Sequence, residues 1–456
     1  MNSPRCLTGH AQGRGGDPAG PVRDRTPRCA AGHRSGLSVL VLVTCLAVGG
    51  SGAPSLAADY LLIPMDLSQS NHLRAYGHAY HCLQAGEKVN WLLNYRGGSF
   101  LIRDTQRARL DARLAGVRFE ETSAAEVAAI RQIIVQENME EVLLEKPPRI
   151  AVYSPPNMQP WDDAVTLALT YAEVPYDVVF DQEVLAGQLN EYDWLHLHHE
   201  DFTGQYGKFY GYYGLETWYL EQKQMNEELA RLLNFDSVWQ MKHAVVLTIQ
   251  QYVEGGGFLF AMCSATDTID IALAHLGVDI VADPFDGSPL DPDYRSKRDY
   301  QRAFAFTDFH LETNPLLYEF SDIDTSDYAR LRSAVADYFT LFSFAAKYDP
   351  VPTMLTQCHV NVVNGFLGQT TGYHQRFLKR HVTILAQVEG TDEIKYLHGK
   401  RGLGTFTFLG GHDPEDYQHR VGDPPTDLDL YPNSPGYRLI LNNILFPAAR
   451  KKPQKT

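Results

Sequence analysis

The chain has 456 residues, 40 Lys+Arg against 55 Asp+Glu, a formal net charge of −15 and 44% apolar residues. That apolar supply supports a sizeable core and excludes global disorder, and the length fits two domains better than one. The acid excess excludes nucleic-acid binding as the main task, because phosphate contacts need stripes of Lys and Arg.

The charge is unevenly spread. Residues 1–58 hold six Arg and two Asp, net +4, which leaves −19 for the remainder. Leu37–Gly50 (LSVLVLVTCLAVGG) is an apolar run of 14, short of the roughly 20 needed to span a bilayer. It matches the core of a signal peptide, and Ser55 and Ala57 form a Ser-x-Ala cleavage pattern ending at Ala57. Residues 1–58 therefore read as signal peptide and leader. The mature chain is expected to be exported, periplasmic or extracellular, with no stable membrane span after cleavage. Cys6, Cys29 and Cys45 leave with the leader, while Cys82, Cys263 and Cys358 remain. Three cysteines cannot all pair within one chain, so at least one thiol is free or pairs between chains.

Residues 59–148 read as an N-terminal α/β lobe. Tyr60–Met65 predicts a strand, Asn71–Ala85 a helix and Val89–Tyr95 a second strand, together one βαβ unit. Phe100–Arg103 continues extended, and helices are predicted over Gln106–Ala115 and Ala124–Gln136. Lys146-Pro147-Pro148 marks a boundary, since prolines end helices. Residues 149–450 then alternate. Arg149–Tyr153, Tyr176–Phe180, Tyr192–His198 and Phe258–Met262 predict strands. Pro160–Ala172, Met225–Val253 and a segment running to Ala274 predict helices. Such alternation points to an α/β fold, a doubly wound and mostly parallel sheet. Residues 282–350 are less regular and read as an insertion. Val382–Gln387 and Gly404–Leu409 are strand-like, and Tyr437–Phe446 predicts a closing helix.

Cys263 ends an apolar strand and opens a helix, flanked by Ser264 and Ala265. Such a turn lifts a nucleophile out of the sheet's carboxyl edge, beside N–H groups that stabilise a thiolate or an oxyanion. A nucleophilic Cys needs a base. His412, also just past a strand, is the candidate, with Asp413, Glu415 and Asp416 near enough in sequence to orient it. The catalytic set is thus Cys263, His412 and Glu415, with Ser264 supplying an oxyanion N–H.

This elbow and its partners resemble the class I glutamine amidotransferase-like superfamily over roughly residues 149–447. Ala261 and Ala265 stand where that family's elbow has glycines, and Pro414 stands where its carboxylate follows the His, which passes the role to Glu415. The resemblance implies a flavodoxin-like sheet and a Cys-His-acid site acting on an amide or related carbonyl compound. The mature chain is also similar to exported bacterial proteins labelled asparagine synthetase B, through LLIPMDLSQSNHLRAYG, WLLNYRGGSF, YDWLHLHHEDFTGQYGKFY, GGGFLFAMCSATDT and GGHDPEDYQH. The synthetase activity itself is not expected. Position 2 is Asn2 rather than a Cys nucleophile, and no SGGxDS nucleotide loop is present.

Further candidates surround these. In His196-Leu197-His198-His199-Glu200-Asp201, His196 and His198 share a strand face. His-x-His with Glu200 or His412 is a zinc-ligand spacing, and the segment ends at the edge where open α/β folds bind ligands. No metal or cofactor is assigned. Zinc is the alternative, giving a metal-dependent hydrolase, while His198, His199, Glu200, Ser264 and Asp413 are expected to contact substrate. Tyr206, Phe209, Tyr210, Tyr212, Tyr213, Trp218 and Tyr219, interleaved with glycines, could bind a glycan or peptide on a non-catalytic version of the fold. Arg96-Gly97-Gly98 could hold an anion. Asp162 and Asp163 read as first-turn charges of a helix.

Overall fold

The structure, a computed structural model, describes residues 59–157 and 161–450. The leader with its three cysteines and Pro160 lie outside the described residues.

The first five apolar runs become β1 (Tyr60–Ile63), β2 (Val89–Leu93), β3 (Ser99–Arg103), β4 (Glu120–Thr122) and β5 (Glu140–Leu144). They form a sheet in the order β4-β1-β3-β2-β5 with every pairing antiparallel. The expected simple βαβ unit is thereby corrected. β1 and β2 run in the same direction, but β3 lies between them in a split arrangement. The cause is the turn at 94–98, where Asn94, Arg96, Gly97 and Gly98 all take positive φ and send the chain straight back. The same turn removes Arg96 as an anion holder, because its guanidinium is taken by Asp66 and Glu120 at 2.7 Å each.

Helix His72–Gln84 lies across this sheet, with Asn71 as its N-cap accepting from the Arg74 N–H at 2.9 Å. Its inner face meets the closing helix Pro435–Leu445. There Tyr76 donates to Asn442, and the buried Arg438 donates to the carbonyls of Met65, at 2.8 Å, and Gly97. Leu61, Trp91, Val152, Phe258 and Ile440 belong to one hydrophobic cluster. The prolines at 147–148 therefore separate two sheets and not two cores.

The second sheet contains β6 (Ile150–Tyr153), β7 (Asp177–Val179), β8 (Trp194–Leu197), β9 (Phe258–Met262), β10 (Tyr338–Leu341), β11 (Val362–Asn364), β12 (Tyr373–His374), β13 (Thr383–Gln387), β14 (Glu393–Arg401) and β15 (Gly404–Leu409). Its order is β11-β10-β13-β14-β15-β9-β8-β6-β7, with β12 beside β14. From β7 to β15 every pairing is parallel. From β15 to β11 every pairing is antiparallel. The fold is mixed α/β, and the expectation of a mostly parallel sheet holds for one half only. In the other half β13, β14 and β15 turn antiparallel because the connections between them are short. Gly402, with φ +58°, and Leu403 alone join β14 to β15, and a connection that short can only make a hairpin.

The long helix expected over Met225–Val253 is two helices, Thr217–Leu232 and Val238–Glu254. Asn234 at φ +63° ends the first, and Ser237 caps the second. Among the described residues no helix is long and apolar enough to cross a membrane.

The inserted segment 282–350 is anchored by Asp324. Its buried carboxylate accepts from the Ser326 N–H at 3.0 Å, the Ser326 hydroxyl at 2.9 Å and the Thr371 N–H at 3.0 Å. Burial raises the Asp324 carboxyl to about 7, against the pull of those donors. A carboxyl raised on folding holds its proton in the native state where the unfolded chain has released it. Its contribution is full at low pH and is lost as pH rises. The stability of wild type relative to Asp324→Asn should therefore fall between about pH 4 and about pH 7, by at most roughly 1.4 kcal/mol per pH unit. Urea unfolding of both proteins across that range measures it.

Candidate active site

All the predicted chemistry gathers at the carboxyl ends of the parallel strands. Asp162 and Asp163 follow β6, His198 and His199 follow β8, Cys263 follows β9, and His412 follows β15. Parallel strands all end on one side, so residues far apart in sequence meet there.

Cys263 takes φ +49°, a left-handed conformation that costs a non-glycine residue about 1–3 kcal/mol. It lies between the last residue of β9 and the helix Ala265–Ala274. That turn sends its side chain to the mouth of the sheet. The Gln369 N–H donates to Sγ at 3.3 Å, and the N–H groups of Thr370 and Ser264 also face the sulfur. Burial still dominates and pushes the thiol up to about 11. Cys82, Cys263 and Cys358 are all free thiols.

The segment 366–371 that brings Gln369 to the sulfur is held from several sides. The Gln369 amide donates to the carbonyls of Gly207 at 2.7 Å and Tyr318 at 3.1 Å. The Thr370 hydroxyl donates to Asp267 at 2.9 Å. Lys395 lies beneath, fully buried, donating to the carbonyls of Phe366 at 2.5 Å and Thr371 at 2.7 Å. Sequence reasoning assigned none of Gln369, Asp267 or Lys395. Each meets a partner from a distant segment, backbone for Gln369 and Lys395 and the Thr370 hydroxyl for Asp267, whose position no local pattern encodes.

His412 lines the same cavity as Cys263, a space of about 430 Å³ that also takes in Trp161, Phe209, Tyr213 and Tyr318. Among the described residues no hydrogen bond joins Cys263 to His412. The His412 ring stacks on His419 at 4.5 Å and 2° between planes, and lies 4.4 Å from the His198 ring and 5.8 Å from that of His199. Burial, and then the neighbouring imidazoles, hold His412 well below the ordinary histidine range, so it is neutral near pH 7.

The carboxylates differ from those expected. Glu415 bonds to the Ser434 side chain, and burial raises its pKa. Asp413 accepts from the Glu415 N–H at 2.8 Å, the Thr426 hydroxyl at 2.8 Å and the Tyr437 hydroxyl at 2.9 Å. Neither orients His412. The acids that reach the histidines are Asp162, Asp163 and Asp416, the last on His419 and not on His412. Asp163 caps the helix Ala164–Tyr171 through the N–H groups of Val165 and Thr166, which is the first-turn role expected. It also stands 3.2 Å from both His196 Nε2 and His198 Nδ1. Burial opposes its ionisation, yet those two imidazoles hold its pKa well below the usual range. Asp162 meets His419 Nε2 at 2.9 Å, and Asp416 meets His419 Nδ1 at 2.9 Å. Against burial, that pair of acids raises His419 to about 9, so it is the protonated member of the cluster.

His196 is a core residue of β8, with Nδ1 3.2 Å from the Phe260 carbonyl and Nε2 on Asp163. Glu200 accepts the His198 N–H at 2.8 Å, and its buried carboxyl is raised to about 7. Ser264 is buried at the start of the helix after Cys263. Of the aromatic loop, Phe209, Tyr212 and Tyr213 face the cavity, while Tyr206 and Tyr219 are buried in a separate cluster.

No family model matches the chain, and no curated protein matches it. Among solved structures it is similar to two cytoplasmic proteins of Salmonella typhimurium, at 9% and 11% identity with TM-scores of 0.33 and 0.31. Each comparison covers 66% of this chain and 100% of the other. It is also similar to a GH42 beta-galactosidase from G. stearothermophilus, a catalytic mutant of Gan42B, at 10% identity and a TM-score of 0.22, over 59% of this chain and 28% of that one. TM-scores this low establish no shared fold.

Gly411 sets His412. It sits at φ +92°, and an added Cβ would lie 2.5 Å from the Phe366 ring and 2.7 Å from the Phe366 carbonyl oxygen. Gly411→Ala should therefore cost about 1–3 kcal/mol or more, read by chemical denaturation. Gly390→Ala, with φ +75° but open space around the Cβ, serves as the control and should cost less.

Proposed function

We propose that this protein is a hydrolase of amide or related carbonyl compounds that works through a Cys263–His412 couple. The observation that carries the reading is the +49° φ of Cys263 at a strand-to-helix turn. Strain of that kind, on a nucleophile, at the carboxyl edge of parallel strands, is the signature of an elbow built to present a reactive atom. The order of the parallel half, β7-β6-β8-β9-β15, reads 2-1-3-4-5 by position in the chain. That order supports a flavodoxin-like and amidotransferase-like reading of this half.

The chemistry follows from the groups present. The thiol rests protonated, so attack requires a base at the moment of reaction. Neutral His412 accepts the thiol proton as sulfur bonds to the carbonyl carbon. The N–H groups of Gln369 and Ser264 face the region where the oxyanion develops. His412 then returns the proton to the departing amine as the C–N bond breaks. Water, deprotonated by the same imidazole, cleaves the thioester and regenerates the thiol. The stacked His419, fixed by Asp162 and Asp416, holds the ring plane in place of the expected Glu415. Trp161, Phe209, Tyr213 and Tyr318 give the cavity an apolar wall suited to a small molecule or the side chain of a peptide.

Two measurements test this. Iodoacetamide should alkylate Cys263 in the native protein at a rate that rises with pH and does not level off below about pH 10, as a thiol raised to about 11 requires. A Cys263 that stays unmodified at every pH until the protein is denatured overturns the nucleophile. With p-nitrophenyl acetate, the wild type should release a burst of about one p-nitrophenolate per chain. Cys263→Ala should abolish the burst and His412→Ala should slow it at least about tenfold. A burst of equal size in Cys263→Ala also defeats the reading.

A further inference from the structure

Four groups of side chains near the site have ligand atoms within 4.8 Å of one another, and their hydrogen bonds separate them. In the group of Asp162, His412 and His419, both His419 nitrogens are already held by carboxylates at 2.9 Å. The group of Asp416, His419 and Asp423 shares that engaged ring and is half-buried at most. In the group of Asp163, His196 and His198, both His196 nitrogens have partners. The group of His198, His199 and His412 differs. Nε2 of His198, Nδ1 of His199 and Nδ1 of His412 are buried without a hydrogen-bond partner, and Nδ1 of His198 faces Asp163 at 3.2 Å. His198 is fully buried and His412 is 8% exposed. Buried imidazole nitrogens without partners are costly. Three from two loops, after β8 and after β15, converging on one point are not explained by packing.

We propose that His198, His199 and His412 form a binding site for one divalent transition-metal ion of the zinc class. Three imidazoles without a thiolate are a borderline-soft nitrogen set, matched to Zn²⁺ or Co²⁺ and not to Ca²⁺ or Mg²⁺. Asp163 stands 3.2 Å from His198 Nδ1, so it can fix that ring by the outer-sphere contact common to metal-bound histidines and leave Nε2 for the ion. Three protein ligands leave further coordination positions open, and His199 and His412 both border the 430 Å³ cavity. The ligand set differs from the His196, His198 and Glu200 set expected from the strand pattern, because β8 turns His196 back to Phe260 and Asp163. The site shares His412 with the hydrolase reading but does not depend on it. Metal on His412 withdraws the base from Cys263, so the loaded protein is a silent form of the Cys263 reaction.

The test uses the full chain prepared without a histidine tag. After incubation with Zn²⁺ and desalting, metal analysis should find about one Zn²⁺ per chain in the wild type and in Cys263→Ala. His199→Gln and His198→Gln should each weaken binding about tenfold or more, as judged by competition with a chelator. Co²⁺ loading should give visible d–d bands of a nitrogen-rich site, with no thiolate-to-cobalt band and no change in Cys263→Ala. Thermal melts of each variant without metal confirm folding, and His199→Gln is the safer substitution because His199 is only half-buried. Less than about 0.2 equivalent of zinc in the wild type, or unchanged affinity in both histidine variants, overturns the site. Metal content and the p-nitrophenolate burst are separate readouts. The burst is measured on metal-free protein: zinc binding by a chain whose metal-free form gives no burst keeps the site and loses the hydrolase, and a burst without zinc binding does the reverse.

Discussion

The N–H of Gln369 reaches the sulfur of Cys263 across 106 residues of chain, and the site depends on that contact. Cys263 is 1% exposed and sits in a left-handed turn that its own strand and helix do not favour. A buried sulfur in such a turn needs donors, and its own helix start supplies only Ser264. The others come from the segment 366–371, which must be brought in and kept there. The means are buried ionisable groups. Lys395 lies under the segment, Asp267 takes the Thr370 hydroxyl, and Asp324 binds both Ser326 and Thr371. Buried ionisable groups with satisfied contacts specify one arrangement more than they add stability.

The sheet explains why so many polar groups collect on one side. In its parallel half, five strand ends open the same way and leave five loops with backbone and side-chain groups to satisfy. In its antiparallel half, successive ends alternate and hairpins close them locally. The cluster of His198, His199, His412 and His419 lies in the parallel mouth. Packed against one another, they cannot all carry charge. One, His419, is held protonated between Asp162 and Asp416, and His412 beside it is driven neutral. A neutral imidazole has a free lone pair, which serves a proton transfer from Cys263 and a metal ion alike.

Much of this was legible along the chain. Short apolar runs closed by turn residues gave β9 and β15 their observed bounds, and the helical pattern gave the helix Ala124–Gln136. Cys263 and His412 were legible as residues placed just past strand ends. Where reading went astray, the deciding energy was not local. Arg96 next to two glycines looks like an anion site until Asp66 and Glu120, 30 and 24 residues away, occupy it. Glu415 is nearer to His412 in sequence than Asp162 or His419 is, yet Ser434 and the closing helix draw it away.

The sequence by itself determined most of the elements, the split between a basic N-terminal stretch and an acidic remainder, and the placement of a thiol and an imidazole at the ends of strands. These follow from side-chain period, turn chemistry and charge, all of which act over a few residues. The tertiary structure decided which strands are neighbours, that half of the large sheet runs antiparallel, and which acid meets which histidine. Those outcomes turn on desolvation. A buried carboxylate or imidazole goes where another chain segment can supply its partner, and only the packed fold brings Asp162 to His419, Asp163 to His198 and Gln369 to Cys263.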